Sequence, residues 1–298
     1  MRRLPLLLVL LSAMTARAEL SIFACEPEWA ALASELAGEH ANVFSATTAQ
    51  QDVHHIQARP ALIAKLRGAD LAVCTGAELE IGWLPLLQRR ARNPKVLPGK
   101  TGFLEASRYV RMREVPQSLD RADGDVHPRG NPHIQTDPRN ITLVAIELGT
   151  RLAVLDPENS ADYRQRLEDF EQRWRAAITD WEQRAAPLQG ARIVVHHHAW
   201  PYLFAWLDLA RAGTLEPKPG VPPTPGHLAE LKAQLEQDPA RMVIRTPYAS
   251  AKPSEWLSEQ VGIPALVLPF TVGGTPAAVD LFGLFDDTIA RLLGPVGS

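Results

Sequence analysis

Apolar residues along this chain fall into two patterns. Short, nearly continuous apolar runs occur at 20–25, 42–46, 70–74 and 95–97, and again at 192–195, 242–245 and 265–268. Runs this short and rich in β-branched and aliphatic residues read as strands covered on both faces. Between them lie segments with helical period, at 60–67, 79–90, 202–212, 225–237 and 253–260. Strands alternating with helices predict an α/β protein: parallel sheets flanked by helices, in two sets.

One stretch behaves differently. After Pro157 no glycine or proline occurs until Pro187, and Tyr163, Leu167, Phe170, Trp174, Ile178 and Trp181 recur at steps of 4, 3, 4, 4 and 3. That is one face of a helix, with Asp156-Pro157 as its start signal and Pro187 as its stop. About 28 helical residues run about 42 Å, more than one small domain needs. The expected organisation is therefore a first α/β lobe at 19–155, a long rigid linker helix at 156–187 and a second α/β lobe at 188–298.

Residues 1–18 are read as an address. Met1-Arg2-Arg3 precedes an apolar run at 4–11, and Ala16-Arg17-Ala18 is a small-x-small cleavage signal. This is the form of a secretory signal peptide cut near Ala18, and the apolar run is too short to span a bilayer. Export permits a disulfide between Cys25 and Cys74, both at ends of expected strands; two separately buried thiols are the alternative. Two cysteines build neither a disulfide framework nor a Cys-rich zinc module. Over 298 residues, 31 Lys and Arg face 34 Asp and Glu, a net charge of −3. That balance gives no signal for nucleic acid or an anionic membrane.

Histidine is what stands out. Seven of nine fall in three clusters: His54 and His55; His127 and His133; His196, His197 and His198. His54 follows the second expected strand. His133 lies between a polar, turn-rich segment at 120–130 and a helix expected near Pro138. His197 follows the first strand of the second set. Open α/β sheets bind ligands beyond the carboxyl ends of their strands, so these positions face a cleft between the lobes. Three neutral imidazoles and a carboxylate suit tetrahedral zinc. Neither HExxH nor paired CxxC is present.

Three segments carry a resemblance. Asp52-Val53-His54-His55-Ile56-Gln57-Ala58-Arg59-Pro60 resembles the first-histidine loop of the periplasmic zinc/manganese-binding proteins of ABC importers, the cluster A-I family. Asn131-Pro132-His133-Ile134-Gln135-Thr136-Asp137-Pro138 resembles that family's D-P-H-x-W-x-D-P segment. Val195-His196-His197-His198-Ala199-Trp200-Pro201-Tyr202 resembles its third segment. The resemblance implies two α/β lobes joined by a long helix, with a metal ion between them held by His54, His133 and His197. Histidine at 197, where manganese binders often have glutamate, favours Zn2+ as transported ligand. It also implies a periplasmic monomer that binds without catalysis and delivers zinc to the membrane permease of an ABC transporter, with a periplasmic zinc chaperone as a further candidate partner.

The fourth ligand departs from the family pattern, because Leu268-Pro269-Phe270-Thr271-Val272-Gly273-Gly274 lacks the usual aspartate. Asp280, at the start of an expected last helix, is the candidate, with Glu78, Glu80 and water as alternatives. Asp137 reads as a helix start or a residue orienting a histidine. His127, with Asp120, Asp123 and Asp125, reads either as a zinc-capturing loop or as a solvated one. Two other functions compete. A zinc hydrolase would need a general base beside a zinc-bound water, and the ligand segments offer no such glutamate. A receptor for a metal chelate, such as haem or a siderophore, would need a wider cleft and no converging histidines.

Overall fold

The computed structural model describes residues 19–118 and 124–294, so the expected signal peptide, Asp120 and Asp123 lie outside the described residues. Two four-stranded sheets organise them, and every neighbouring pair of strands is parallel. The first sheet contains β1 (Leu20–Ala24), β2 (Ala41–Ser45), β3 (Leu71–Cys74) and β4 (Phe103–Glu105), ordered β2-β1-β3-β4. The second contains β5 (Arg192–Val195), β6 (Ala210–Thr214), β7 (Met242–Arg245) and β8 (Ala265–Val267), ordered β6-β5-β7-β8. The apolar runs are what central parallel strands require: all four residues of β3 are buried, and β1 pairs Phe23 with Phe44 on one side and Ala72 on the other.

Helices cover both faces of the first sheet. α1 (Pro27–Ala37) lays Trp29, Leu32, Ala33, Leu36 and Ala37 on one face, while α2 (Pro60–Arg67) and α3 (Leu84–Ala91) enclose a separate cluster of Phe23, Leu66, Trp83 and Leu87 on the other. Proline in the first turn starts α1, α2 and α3, as it does α4 (Pro138–Leu155). There its missing N–H is one that has no intrahelical partner anyway. The second half adds α6 (Pro201–Leu207), α7 (Pro225–Gln237), α8 (Ala251–Val261) and α9 (Leu281–Leu293), with α5 (Ser160–Ala185) between the halves.

α5 has 26 residues. It begins at Ser160 because Asp156 organises a preceding single turn, accepting from Asn159 Nδ2 at 2.6 Å and from the Tyr163 hydroxyl at 2.8 Å. Its buried face carries Tyr163, Phe170, Trp174 and Trp181. Trp174 Nε1 donates to the Pro138 carbonyl of α4 at 2.8 Å, and Phe282 of α9 meets the Trp174 ring edge-on at 4.9 Å. Trp181 Nε1 donates to Asp286 of α9 at 2.9 Å. The helix is thus keyed by aromatic rings to elements of both halves, and burying each large ring contributes about 2–3 kcal/mol.

Three expected elements differ. The apolar residues at 95–97 form a single 3-10 turn, Pro94–Val96, and the strand comes later as β4. Pro94 and Pro98 bracket that run and deny it ladder donors. The expected helix at 202–212 stops at Leu207, where Asp208 takes a left-handed conformation (φ 53°), and the chain continues as β6. The helix expected from 79 starts only at Leu84: Trp83, at φ −139°, is its N-cap, and Pro85 lies in its first turn. Cys25 and Cys74, at the ends of neighbouring β1 and β3, form a disulfide with a Cα–Cα distance of 4.8 Å. No helix among the described residues is long and apolar enough to cross a membrane.

Candidate metal centre

The carboxyl ends of the two sheets supply the pieces of the site. His54 sits on the 3-10 turn Val53–His55, after β2. Asp52 caps that turn, and its Oδ1 accepts from the His54 amide at 3.0 Å and from His54 Nδ1 at 2.8 Å. The second bond selects the tautomer with a free lone pair on Nε2. Trp83 Nε1 fixes the same turn by donating to the Val53 carbonyl at 2.9 Å.

His133 precedes the 3-10 turn Ile134–Thr136 that leads into α4; its amide donates to Asn131 Oδ1 at 3.1 Å and its carbonyl accepts from Thr136 Oγ1 at 2.9 Å. The ring is buried against Phe270, with centroids 5.2 Å apart. His197 follows β5 and brings its ring in from the second sheet. Its Nδ1 bonds Glu216 Oε2 at 2.7 Å, and the same oxygen accepts from the Gly220 amide at 2.9 Å.

These three side chains meet. Ligand nitrogens of His54, His133 and His197 all lie within 4.8 Å of one another, and the three pairs of ring centroids are 5.5–5.9 Å apart. A fourth imidazole joins them. His127 Nε2 is 3.2 Å from His54 Nε2. The loop that carries it is pinned to the second half: the Asp125 amide donates to the Pro219 carbonyl at 2.9 Å. Gly124 allows this approach, because a Cβ there would stand 2.2 Å from Pro219 O.

Burial, then the neighbouring histidines, pushes the His133 imidazole well below its usual value. Burial first, then His54, lowers His127 to about 4. Both are therefore neutral at pH 7, the form that can coordinate a cation. Two Nε2 atoms at 3.2 Å share either a proton or a cation, and a divalent ion relieves crowding that no proton satisfies for all four rings.

Asp280 is elsewhere. It is exposed and caps α9, with Oδ1 accepting from the Gly283 amide at 2.7 Å. The structure does not group it with the histidines: its Oδ1 is bonded at the helix end, and Phe270 in the turn before it packs on the His133 ring. Glu80 is buried but accepts from the Thr75 amide at 2.7 Å and from the Gly76 amide, beside Glu26 and the disulfide. Glu78 belongs to the same strained turn and is not part of the histidine group. Asp137 caps α4 and pairs with Arg139 at 2.7 Å, so it fulfils the helix-start reading.

Of the neighbouring histidines, His55 is exposed and His198 bonds Glu114 at 2.6 Å. Sequence reasoning left His127 in a loop and did not pair Glu216 with His197. The signals in the sequence are a histidine in a polar loop six residues before His133 and an acid 19 residues after His197.

A family model described as zinc-uptake complex component A, periplasmic, matches residues 22–293. This chain is a member of that family. The family is one of solute-binding proteins of ABC import systems, not of enzymes. The chain is 27% identical over 206 residues to the high-affinity zinc uptake system protein ZnuA of Yersinia pestis, a match spanning 65% of each chain. Its fold is similar to a zinc-bound deletion mutant of ZnuA (TM-score 0.78, 21% identity, 94% of this chain and 99% of that one). It is likewise similar to a Mn-bound periplasmic metal binding protein from Candidatus Liberibacter asiaticus (TM-score 0.74, 16% identity, 93% and 99%). These likenesses establish the two-lobed α/β fold. The family places the chain in the periplasm.

Proposed function

We propose that this protein captures one Zn2+ ion in the crevice between its lobes and hands it to the permease of an ABC importer. The observation that carries the reading is the convergence of His54, His133 and His197 from loops at the carboxyl ends of both sheets. His127, whose Nε2 lies 3.2 Å from His54 Nε2, is the fourth donor in this reading rather than Asp280. An all-imidazole site favours zinc over manganese, which seeks oxygen ligands. The role is binding without turnover. The carboxylates nearest the rings, Asp52 and Glu216, are engaged by imidazole Nδ1 atoms and are not free to act as a general base. A receptor for haem or a siderophore would not need three imidazoles whose ligand nitrogens lie within 4.8 Å of one another. The protein acts as a monomer whose cargo, loaded directly or by a zinc chaperone, is released to the membrane partner, and its leader is removed near Ala18.

Competitive titration with a chromogenic zinc chelator tests this. One zinc per chain should bind tightly, and His54→Ala, His133→Ala and His197→Ala should each weaken binding by at least a hundredfold. Wild-type affinity in all three variants contradicts the proposal, and tighter binding of manganese than zinc contradicts its choice of metal.

A further inference from the structure

The three central histidines are not equally held. His54 and His197 each commit Nδ1 to a carboxylate, Asp52 and Glu216. His133 Nδ1 is buried and has no protein partner. A metal-binding histidine almost always donates its second N–H to a carboxylate, a carbonyl or water, which sets the tautomer and the ring orientation.

His133 lines the cavity of about 20 Å³ together with Glu26, Glu28, Gln135, Tyr248 and Thr271. Two more buried atoms without a partner belong to that lining, Glu26 Oε1 and Gln135 Oε1. Glu26, His133 and Gln135 are 2%, 2% and 3% exposed. Glu28 is already satisfied, accepting from Thr271 Oγ1 at 2.5 Å. Around one cavity there are thus three buried polar atoms without a partner: a ring nitrogen that is a donor in one of its tautomers, and two oxygens. A water molecule accepts one such bond and donates two, and it needs a cavity of roughly 10–15 Å³.

We propose that Glu26 is a positioning residue of the metal site: with Gln135 it holds one buried water that accepts from His133 Nδ1–H and fixes the tautomer whose Nε2 faces the crevice. Each central histidine then has an acidic side chain behind it, two directly and one through water. The inference rests on the reading of His133 as a zinc ligand.

Glu26→Gln is the discriminating variant. Glu26 Oε2 accepts from the Thr75 amide at 3.2 Å and from Thr75 Oγ1 at 3.1 Å. A glutamine that keeps its oxygen on Thr75 turns its NH2 toward the cavity, placing a donor where an acceptor is needed at unchanged volume. Two quantities are read on the full-length protein: zinc affinity by chelator competition, and the His133 ring 15N signals of the zinc-free form, which report the tautomer. Glu26→Gln is expected to weaken zinc binding about 10–100-fold and to move His133 from the Nδ1–H toward the Nε2–H tautomer. Gln135→Leu, which removes the other acceptor, shifts both readouts the same way and decides the matter if Glu26→Gln does not fold. An unchanged tautomer overturns the proposal, even where affinity falls, and so does unchanged affinity. His133→Ala separates the two levels: if it binds zinc like the wild type, the functional reading fails; if it loses zinc while Glu26→Gln and Gln135→Leu do not, only the positioning role of Glu26 fails.

Discussion

Each imidazole in the crevice is useful because of what holds its far side. Glu216 bonds His197 and the Gly220 amide through one oxygen, so it orients a ligand and anchors the strip on which the His127 loop rests. Glu216→Ala is expected to weaken zinc binding about 10–100-fold, with little change in melting temperature, as measured by chelator competition beside a thermal melt. His127→Ala should weaken binding by a smaller factor than His54→Ala, because water can take the fourth position; equal losses would give His127 a weight this geometry does not explain. The three histidines that meet in the crevice were legible in the sequence because each follows a recognisable strand or precedes a proline-started helix. For Asp280 the sequence leaves two roles open, because an acid at a helix start suits either a ligand or a cap, and in the structure its Oδ1 accepts from the Gly283 amide. His127 was underweighted because its approach depends on Gly124 lying against Pro219, about 95 residues away in the chain.

At the scale of elements, α1 carries a second kind of chemistry beneath the site. Burial raises the Glu28 carboxyl to about 7, and burial with the nearby Glu80 and Glu28 carboxyls raises Glu26 well above the usual range. A carboxyl whose folded pKa is raised binds its proton more tightly in the native state. Its contribution is therefore fully present below the unfolded value and is lost as pH rises toward and past 7. For Glu28 the difference is on the order of 3 kcal/mol. Glu28→Gln should flatten this trend, gaining melting temperature relative to wild type at pH 8 compared with pH 5; a variant that loses ground at pH 8 would reverse the sign. The disulfide between β1 and β3 lies next to these carboxyls and closes a 49-residue separation. Replacing both cysteines by serine should lower stability by about 2–4 kcal/mol in denaturant titrations. Strand and helix alternation was readable from apolar runs, yet β6 was hidden in Ala210–Thr214, where only Ala212 is buried. Edge position and a glycine give that strand no apolar signature, so its pairing with β5 decides it.

For the whole molecule, the long helix is what makes two sheets one binding device. Trp174 joins α4 to α9 across α5. Trp174→Ala should cost about 3–5 kcal/mol and broaden the unfolding transition. The crevice is built from segments distant in sequence, at 52–54, 124–133 and 195–220, so no single stretch could display it. The family resemblance supplied their order, and the structure supplied their meeting point and the approach of His127 to His54. The central claim is that imidazoles from both lobes surround a single zinc ion, and X-ray absorption at the zinc edge on protein loaded with one equivalent measures that shell directly. The account predicts four nitrogen neighbours at about 2.0–2.1 Å with imidazole scattering. A shell dominated by oxygen or sulfur would contradict it.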